Sequence, residues 1–135
     1  MKKLEDEFGK NAGKVWRAIN NDGNLGETEL RKTTKLDEKK LNAAIGWLAR
    51  ENKICKYNNL YSIGETNLTD KIGEDAGKIW DALYERGEID ISTIAKFTQI
   101  KERDAYYALG WLARENKIQA HMIKTKKHQI KFALK

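Results

Sequence analysis

Few residues of this chain invite a chemical reading, and most of them decline it on inspection. Gly9-Lys10-Asn11-Ala12-Gly13-Lys14-Val15 carries the glycines and the lysine of a phosphate-cradling loop. Only three residues separate its glycines, however, no Ser or Thr follows the lysine, and no apolar strand leads into it. The string reads instead as a helix N-terminus whose glycines permit close packing. His121 and His128 are the only histidines, with no carboxylate pair or cysteine beside them to complete a metal site. Cys55 is the single cysteine, which excludes an intramolecular disulfide and reads as a small strand residue. No nucleophile, base and orienting group fall together, and Glu51 and Glu115 read as helix-surface charges. The expectation is a protein that is not an enzyme, with no cofactor, no metal and no evident small-molecule substrate. What remains is the chemistry of charge.

The formal net charge is +6 over 135 residues. All 20 acidic residues lie between residues 1 and 118, whereas Lys124, Lys126, Lys127, Lys131 and Lys135 follow with no acid among them. A nearly neutral body with a basic end attracts a polyanion to that end. No apolar run approaches the roughly 18 residues needed to cross a bilayer, and Met1-Lys2-Lys3-Leu4-Glu5-Asp6-Glu7 lacks the apolar segment of a signal peptide. With one cysteine and no membrane segment, the expected compartment is the cytoplasm.

The elements that position these charges come in duplicate. Residues 8–54 align with residues 72–118 at a constant offset of 64 without a gap, and 20 of the 47 pairs are identical. The matches include Ala12-Gly13-Lys14 with Ala76-Gly77-Lys78, Trp16 with Trp80, and Gly46 through Ile54 with Gly110 through Ile118. The chain is therefore an internal duplication, read as units 1–66 and 67–135 with a boundary in the polar stretch Gly64 to Asp70. A unit this small buries only about 60% of its surface, so packing of the copies on each other, or dimerisation, is expected to support both.

Within each unit the periodicity predicts helix, short strand, helix, helix and hairpin. Ala12, Val15, Trp16 and Ile19 recur at helical spacing, as do Ala76, Ile79, Trp80 and Leu83, and Gly23 and Gly87 read as helix stops. Ile89 and Ile91 alternate with polar neighbours, and second helices are predicted at about 28–34 and 92–98 with Thr28 and Ser92 as N-caps. Third helices begin near Asp37 and Lys101, burying Leu41, Ile45 and Leu48 or Ala105, Leu109 and Leu112. Ile54–Tyr57, Asn58-Asn59 and Leu60–Ile63 form a hairpin, because Asn tolerates the positive φ of a tight turn. The second hairpin is longer, with its tip at Lys124 to His128. The fold class is mainly α with small β-hairpins, an α+β chain of two tandem winged helix-turn-helix units. The tryptophans read as core or core-edge anchors.

The strings Ala-Gly-Lys-Val/Ile-Trp of the first helix and Ala-Ile/Leu-Gly-Trp-Leu-Ala-Arg-Glu-Asn-Lys-Ile of the third resemble a small, uncharacterised winged helix-turn-helix domain family of bacteria and archaea, present here as a tandem duplication. The resemblance covers both copies and implies the winged helix fold and DNA binding.

If the apolar stripe of each third helix faces inward, the 100° helical step turns Lys39, Ala43, Gly46 and Arg50 outward, with Arg103, Tyr107, Gly110 and Arg114 as their counterparts. Glycine in mid-helix costs up to about 1 kcal/mol relative to alanine, so its place on this face points to close approach by DNA or by protein. The expected function is a DNA-binding protein, a small transcription regulator whose third helices enter the major groove of double-stranded DNA. Lys39 and Arg103 would stand near base edges with Tyr107, Lys35, Lys40 and Lys101 would meet phosphates, and Lys124, Lys126 and Lys127 would track the backbone from the second wing. Asp37, Glu38, Glu102 and Asp104 in the same turns oppose this. The alternative is a protein-interaction module in which the face around Gly46, Gly110, Tyr106 and Tyr107 docks another helix or a second copy of the chain.

Overall fold

A computed structural model describes residues 3–123 and 129–135 of the chain. In chain order, α1 (Leu4–Asp22), α2 (Glu27–Thr34) and α3 (Glu38–Arg50) are followed by the hairpin β1 (Ile54–Tyr57) and β2 (Leu60–Ile63). A π-helical turn, Thr69–Gly73, leads into α4 (Glu74–Arg86), after which β3 (Ile89–Asp90), α5 (Ile91–Thr98), α6 (Glu102–Arg114), β4 (Ile118–Met122) and β5 (Ile130–Leu134) repeat the order. Each half is a winged helix-turn-helix, with α2–α3 and α5–α6 as the helix pairs and the hairpins as wings.

Local chemistry sets most boundaries. Gly23 and Gly87 end α1 and α4 at φ of 86° and 77°, where their N–H groups donate to Ile19 and Leu83 carbonyls. Thr34 and Thr98 hold the turns before the third helices in the same way: each hydroxyl donates to the carbonyl four residues back and accepts from the N–H of Leu36 or Ile100. Asn58 and Asn59 take φ of 52° and 63°, which closes the first wing with Tyr57 opposite Leu60 and Lys56 opposite Tyr61. In the second wing Ala120 faces Phe132, and Phe132 also pairs with Ile89 to give the strand order β3-β5-β4.

The caps of the second helices differ from expectation. α5 begins at Ile91, and the Asp90 carboxylate, not Ser92, accepts the Thr93 N–H at 2.9 Å. α2 begins at Glu27 after Gly26, ahead of Thr28, and Glu29 reaches back to the Gly26 N–H at 3.2 Å. The alternation of Ile89 and Ile91 is shared by a two-residue strand running straight into a helix, so periodicity places the boundary one residue late. In the first unit the strand is reduced to a single bridge between Leu25 and Tyr61. Gly9 and Gly13 are inside α1, not at its start, and a Cβ on Gly9 would come within 2.6 Å of the Trp47 ring.

Each unit has its own apolar core: Val15, Leu30, Leu41, Ile45 and Ile54 in the first, Ile79, Ile94, Leu109, Ile118 and Phe132 in the second. Each such side chain removed from water contributes about 1.5–3 kcal/mol. The cores also trade residues. Leu4 and Phe8 of α1 pack on the second core, while Leu68 and Ile72, their equivalents by the 64-residue offset, pack on the first. Glu5, 4% exposed, accepts the Ala120 N–H of β4 at 3.2 Å across the same junction. All four tryptophans are half-buried, and Trp47 and Trp111 each touch both cores, so they mark core edges.

Candidate nucleic-acid interface

The third helices are built as helix-turn-helix second helices, but their middles face each other. A Cβ on Gly46 would lie 1.8 Å from the Tyr107 carbonyl oxygen, and one on Gly110 would lie 1.8 Å from the Ala43 carbonyl oxygen. Only glycine lets two helix backbones touch this way. At their starts, the Arg103 guanidinium meets Glu38 at 3.9 Å and Glu27 of α2 at 3.0 Å. Past their ends, Arg50 meets Glu115 at 3.0 Å and Arg114 meets Glu51 at 2.9 Å. Start lies beside start and end beside end, so α3 and α6 run in the same direction about a local two-fold. Arg50 also stacks over Trp111 and Arg114 over Trp47, at 5.6 and 5.9 Å from the ring centroids.

One reading of the sequence is thereby corrected. Ala43, Gly46 and Gly110 do point out of their own units, but the sister helix covers them. The object that approaches the mid-helix glycines is the other copy. Two helices with touching backbones cannot occupy major grooves one turn, about 34 Å, apart, so both third helices cannot enter DNA as expected while this seam is closed. The same seam covers Gly46 and Gly110, the centre of the face that the alternative offered to a partner, while Tyr106 and Tyr107 line the clefts beside it. Glu51 and Glu115 are likewise inter-unit ion-pair partners, not free surface charges.

The predicted site residues fall into separate places. Lys35, Lys39 and Lys40 are all exposed in the first unit: Lys35 closes α2 at φ of 64° in the α2–α3 corner, while Lys39 and Lys40, in the first turn of α3, line the cleft against the second wing with Leu4, Phe8 and Phe132. The sequence reading passed over Arg31 and Lys32 on the same corner, both exposed. Their signal was available, because residues 31–40 hold five cations against two acids. Both acids are engaged: Asp37 accepts the Lys40 N–H at 2.9 Å as the α3 cap, and Glu38 faces Arg103. Arg31, Lys32, Lys35, Leu36 and Asp37 surround a shallow cleft of about 420 Å³ with Thr28. The second unit's corner is weaker, with Lys96, Lys101 and Arg103 against Glu102 and Asp104 in residues 95–104.

Lys101 is exposed, but it lies with Arg103 and Tyr107 beside the first wing, away from the Lys35 corner. Tyr107 is half-buried, its hydroxyl 3.1 Å from that of Tyr61. Burial first, then Tyr107, drives the Tyr61 phenol well above its ordinary value, and burial pushes Tyr106 up to about 12. The Tyr61 phenol is therefore neutral at physiological pH and acts here as a hydrogen-bonding group. Lys124, Lys126 and Lys127 lie outside the described residues. Among the described residues no group of three His, Cys, Asp or Glu side chains could hold a metal ion, and no helix is long and apolar enough to cross a membrane.

Residues 1–62 and residues 68–132 each match the family model described as winged helix-turn-helix domain (DUF2582). The chain belongs to this family. Its two matches follow the two helix-turn-helix units, so the family domain occurs twice in one chain. No similar curated protein and no similar solved structure was found. The winged helix-turn-helix is in general a DNA-binding, regulator-type fold, which makes the exposed α2–α3 corner the surface of interest.

Proposed function

We propose that this protein binds double-stranded DNA through the α2–α3 corner of its first unit, as a small transcription regulator, with the paired third helices acting as a rigid spine. The observation that carries this reading is the division of labour on α3. Its middle is committed to α6, while the preceding corner presents Arg31, Lys32 and Lys35 to solvent and its own first turn presents Lys39 and Lys40, with Asp37 and Glu38 between them engaged. Lysines and arginines so placed meet phosphates and release counterions. Lys124, Lys126 and Lys127 of the second wing supply a second set of phosphate contacts in this reading, which binds all sequences alike. Lys101 and Arg103 contribute less, since they stand apart from the corner and Arg103 is already paired with Glu27.

The test is the binding of mixed-sequence duplex DNA over a range of salt concentrations. Replacing Lys32, Lys35 and Lys39 together by alanine should weaken binding and flatten the slope of log K against log salt by up to about 2.7, roughly 0.9 per lost phosphate contact. All three side chains are exposed, so thermal unfolding should stay within about 0.5 kcal/mol of the parent. A triple variant that keeps the parent affinity and slope at every salt concentration refutes the corner as the DNA surface. The companion variant at Lys124, Lys126 and Lys127 measures the share of the second wing.

A further inference from the structure

Duplication makes two equivalent clefts in this fold, each where the wing of one unit meets the starts of the first and third helices of the other. They have opposite characters. The cleft on the second wing has a floor of Leu4, Phe8, Ala120, Ile130 and Phe132, a rim that includes Glu7, Asp37, Lys39 and Lys40, and only about 110 Å³ of space. The cleft on the first wing stays open at about 690 Å³, within the range of small-molecule sites.

Strand register and the 64-residue offset pair the linings position by position. Lys56 stands where the second wing has Ala120, and Tyr61, opposite Lys56, stands where it has Phe132. On the helices, Tyr107 replaces Ala43, Lys71 replaces Glu7 and Glu27 replaces Ile91. The stretch Gly46 through Ile54, which supplies Gly46, Trp47, Arg50 and Glu51 to the seam, is meanwhile identical to Gly110 through Ile118. One backbone frame thus carries a nearly filled cleft with an apolar floor on one side and an open polar groove on the other.

Lys56, Lys71, Lys101 and Arg103 line the groove against Glu27, Glu29 and Asp104, so cations outnumber carboxylates by one. Tyr61, 2% exposed, and Tyr107 share one hydrogen bond between two hydroxyls, which leaves one hydroxyl proton for another acceptor. The Lys56 ammonium stands 5.1 Å above the Tyr61 ring. Arg103 pairs with Glu27 at 3.0 Å, and Lys71 with Asp75 at 2.9 Å. Lys56 and Lys101 have no carboxylate within 4.0 Å among the described residues. A ligand oxyanion satisfies these groups together, accepting from the free hydroxyl and from Lys56 and Lys101, and replacing Glu27 on Arg103.

We propose that the groove between the first wing and the start of α6 binds a small molecule bearing a phosphate or carboxylate group. This site is distinct from the DNA corner, which it meets only at Thr28, and it stands whether or not that corner binds DNA.

Amide NMR of the full chain, titrated at constant ionic strength with inorganic phosphate and separately with succinate, tests it. At least one probe should give saturable shifts at Glu27, Arg103, Asp104 and Tyr107, with none at the equivalent cleft around Phe8 and Phe132. The probe that saturates distinguishes phosphate from carboxylate. Lys56→Ala and Lys101→Ala should each weaken that probe about tenfold without changing thermal unfolding, while Lys39→Ala leaves it unchanged. Absence of saturation with both probes overturns the proposal. So do shifts spread equally over Lys39 and Lys40, or a Lys56→Ala/Lys101→Ala variant that binds as the parent does.

Discussion

Gly46→Ala probes the seam with a single methyl group. On a free helix surface this substitution stabilises, because alanine is favoured over glycine in helices by up to about 1 kcal/mol. Here the new Cβ would lie 1.8 Å from the Tyr107 carbonyl oxygen and 2.7 Å from its carbonyl carbon. An ordinary contact begins near 3.4 Å, so α3 and α6 must separate by more than an ångström. The obstacle is backbone, which no rotamer change removes, and the separation also loosens Trp47, Trp111 and the two terminal arginine pairs. Overpacking of this kind costs about 1–3 kcal/mol and occasionally more. A backbone clash this close takes the upper end of that range, about 3 kcal/mol, so with the propensity gain of about 1 kcal/mol subtracted the expected net loss is about 2 kcal/mol, or a fall in melting temperature of roughly 6–10 °C for a chain of this size. Gly110→Ala, whose Cβ would meet the Ala43 carbonyl oxygen at the same 1.8 Å, should behave alike. The double variant should lose less than the sum, because the displacement that admits one methyl group admits the other. Urea unfolding followed by tryptophan fluorescence measures all three. A Gly46→Ala variant as stable as the parent, or more so, would refute the reasoning and return the α3 face to DNA.

Two further predictions concern charge. A double-mutant cycle on Arg50→Ala and Glu115→Ala should give a coupling of about 0.5 kcal/mol that shrinks in 1 M salt, since the arginine side chain is 45% exposed and water screens the pair. Reversing both charges should keep most of the coupling, while Arg50→Ala alone should cost slightly more through its lost stacking on Trp111. Asp90→Ala should cost about 1 kcal/mol at neutral pH through loss of the α5 cap. The Thr93 backbone N–H holds the Asp90 carboxyl below its ordinary value of 3.8, so this contribution is fully present above pH 3.8 and disappears as the pH falls through the lower folded value. Parent and variant unfolding curves measured from pH 7 down to 2 should therefore converge at the acid end.

The sequence by itself determined the parts that depend on neighbours along the chain. Helical spacing of Leu41, Ile45 and Leu48, the glycine stops at 23 and 87, and Asn58-Asn59 each act over a turn or less, and their outcomes follow from backbone geometry and the burial of one stripe. The offset of 64 also made the two units legible before any coordinate. Caps were less secure, because Asp90 and Ser92 are both good cap residues and the choice depends on where β5 lets the strand end. Sequence raised the question posed by Gly46 and Gly110 but could not answer it, since a mid-helix glycine records only that something comes close. The tertiary structure decided that the other copy does so. It also decided that Arg103 and Tyr107 belong beside the first wing while Lys35, Lys39 and Lys40 stay exposed with Arg31 and Lys32. Those assignments rest on contacts between residues about 60 apart in the chain, such as Tyr107 with Gly46 and Arg50 with Glu115. Periodicity within one helix names the face that is free of its own core, but what covers that face is fixed by packing between units.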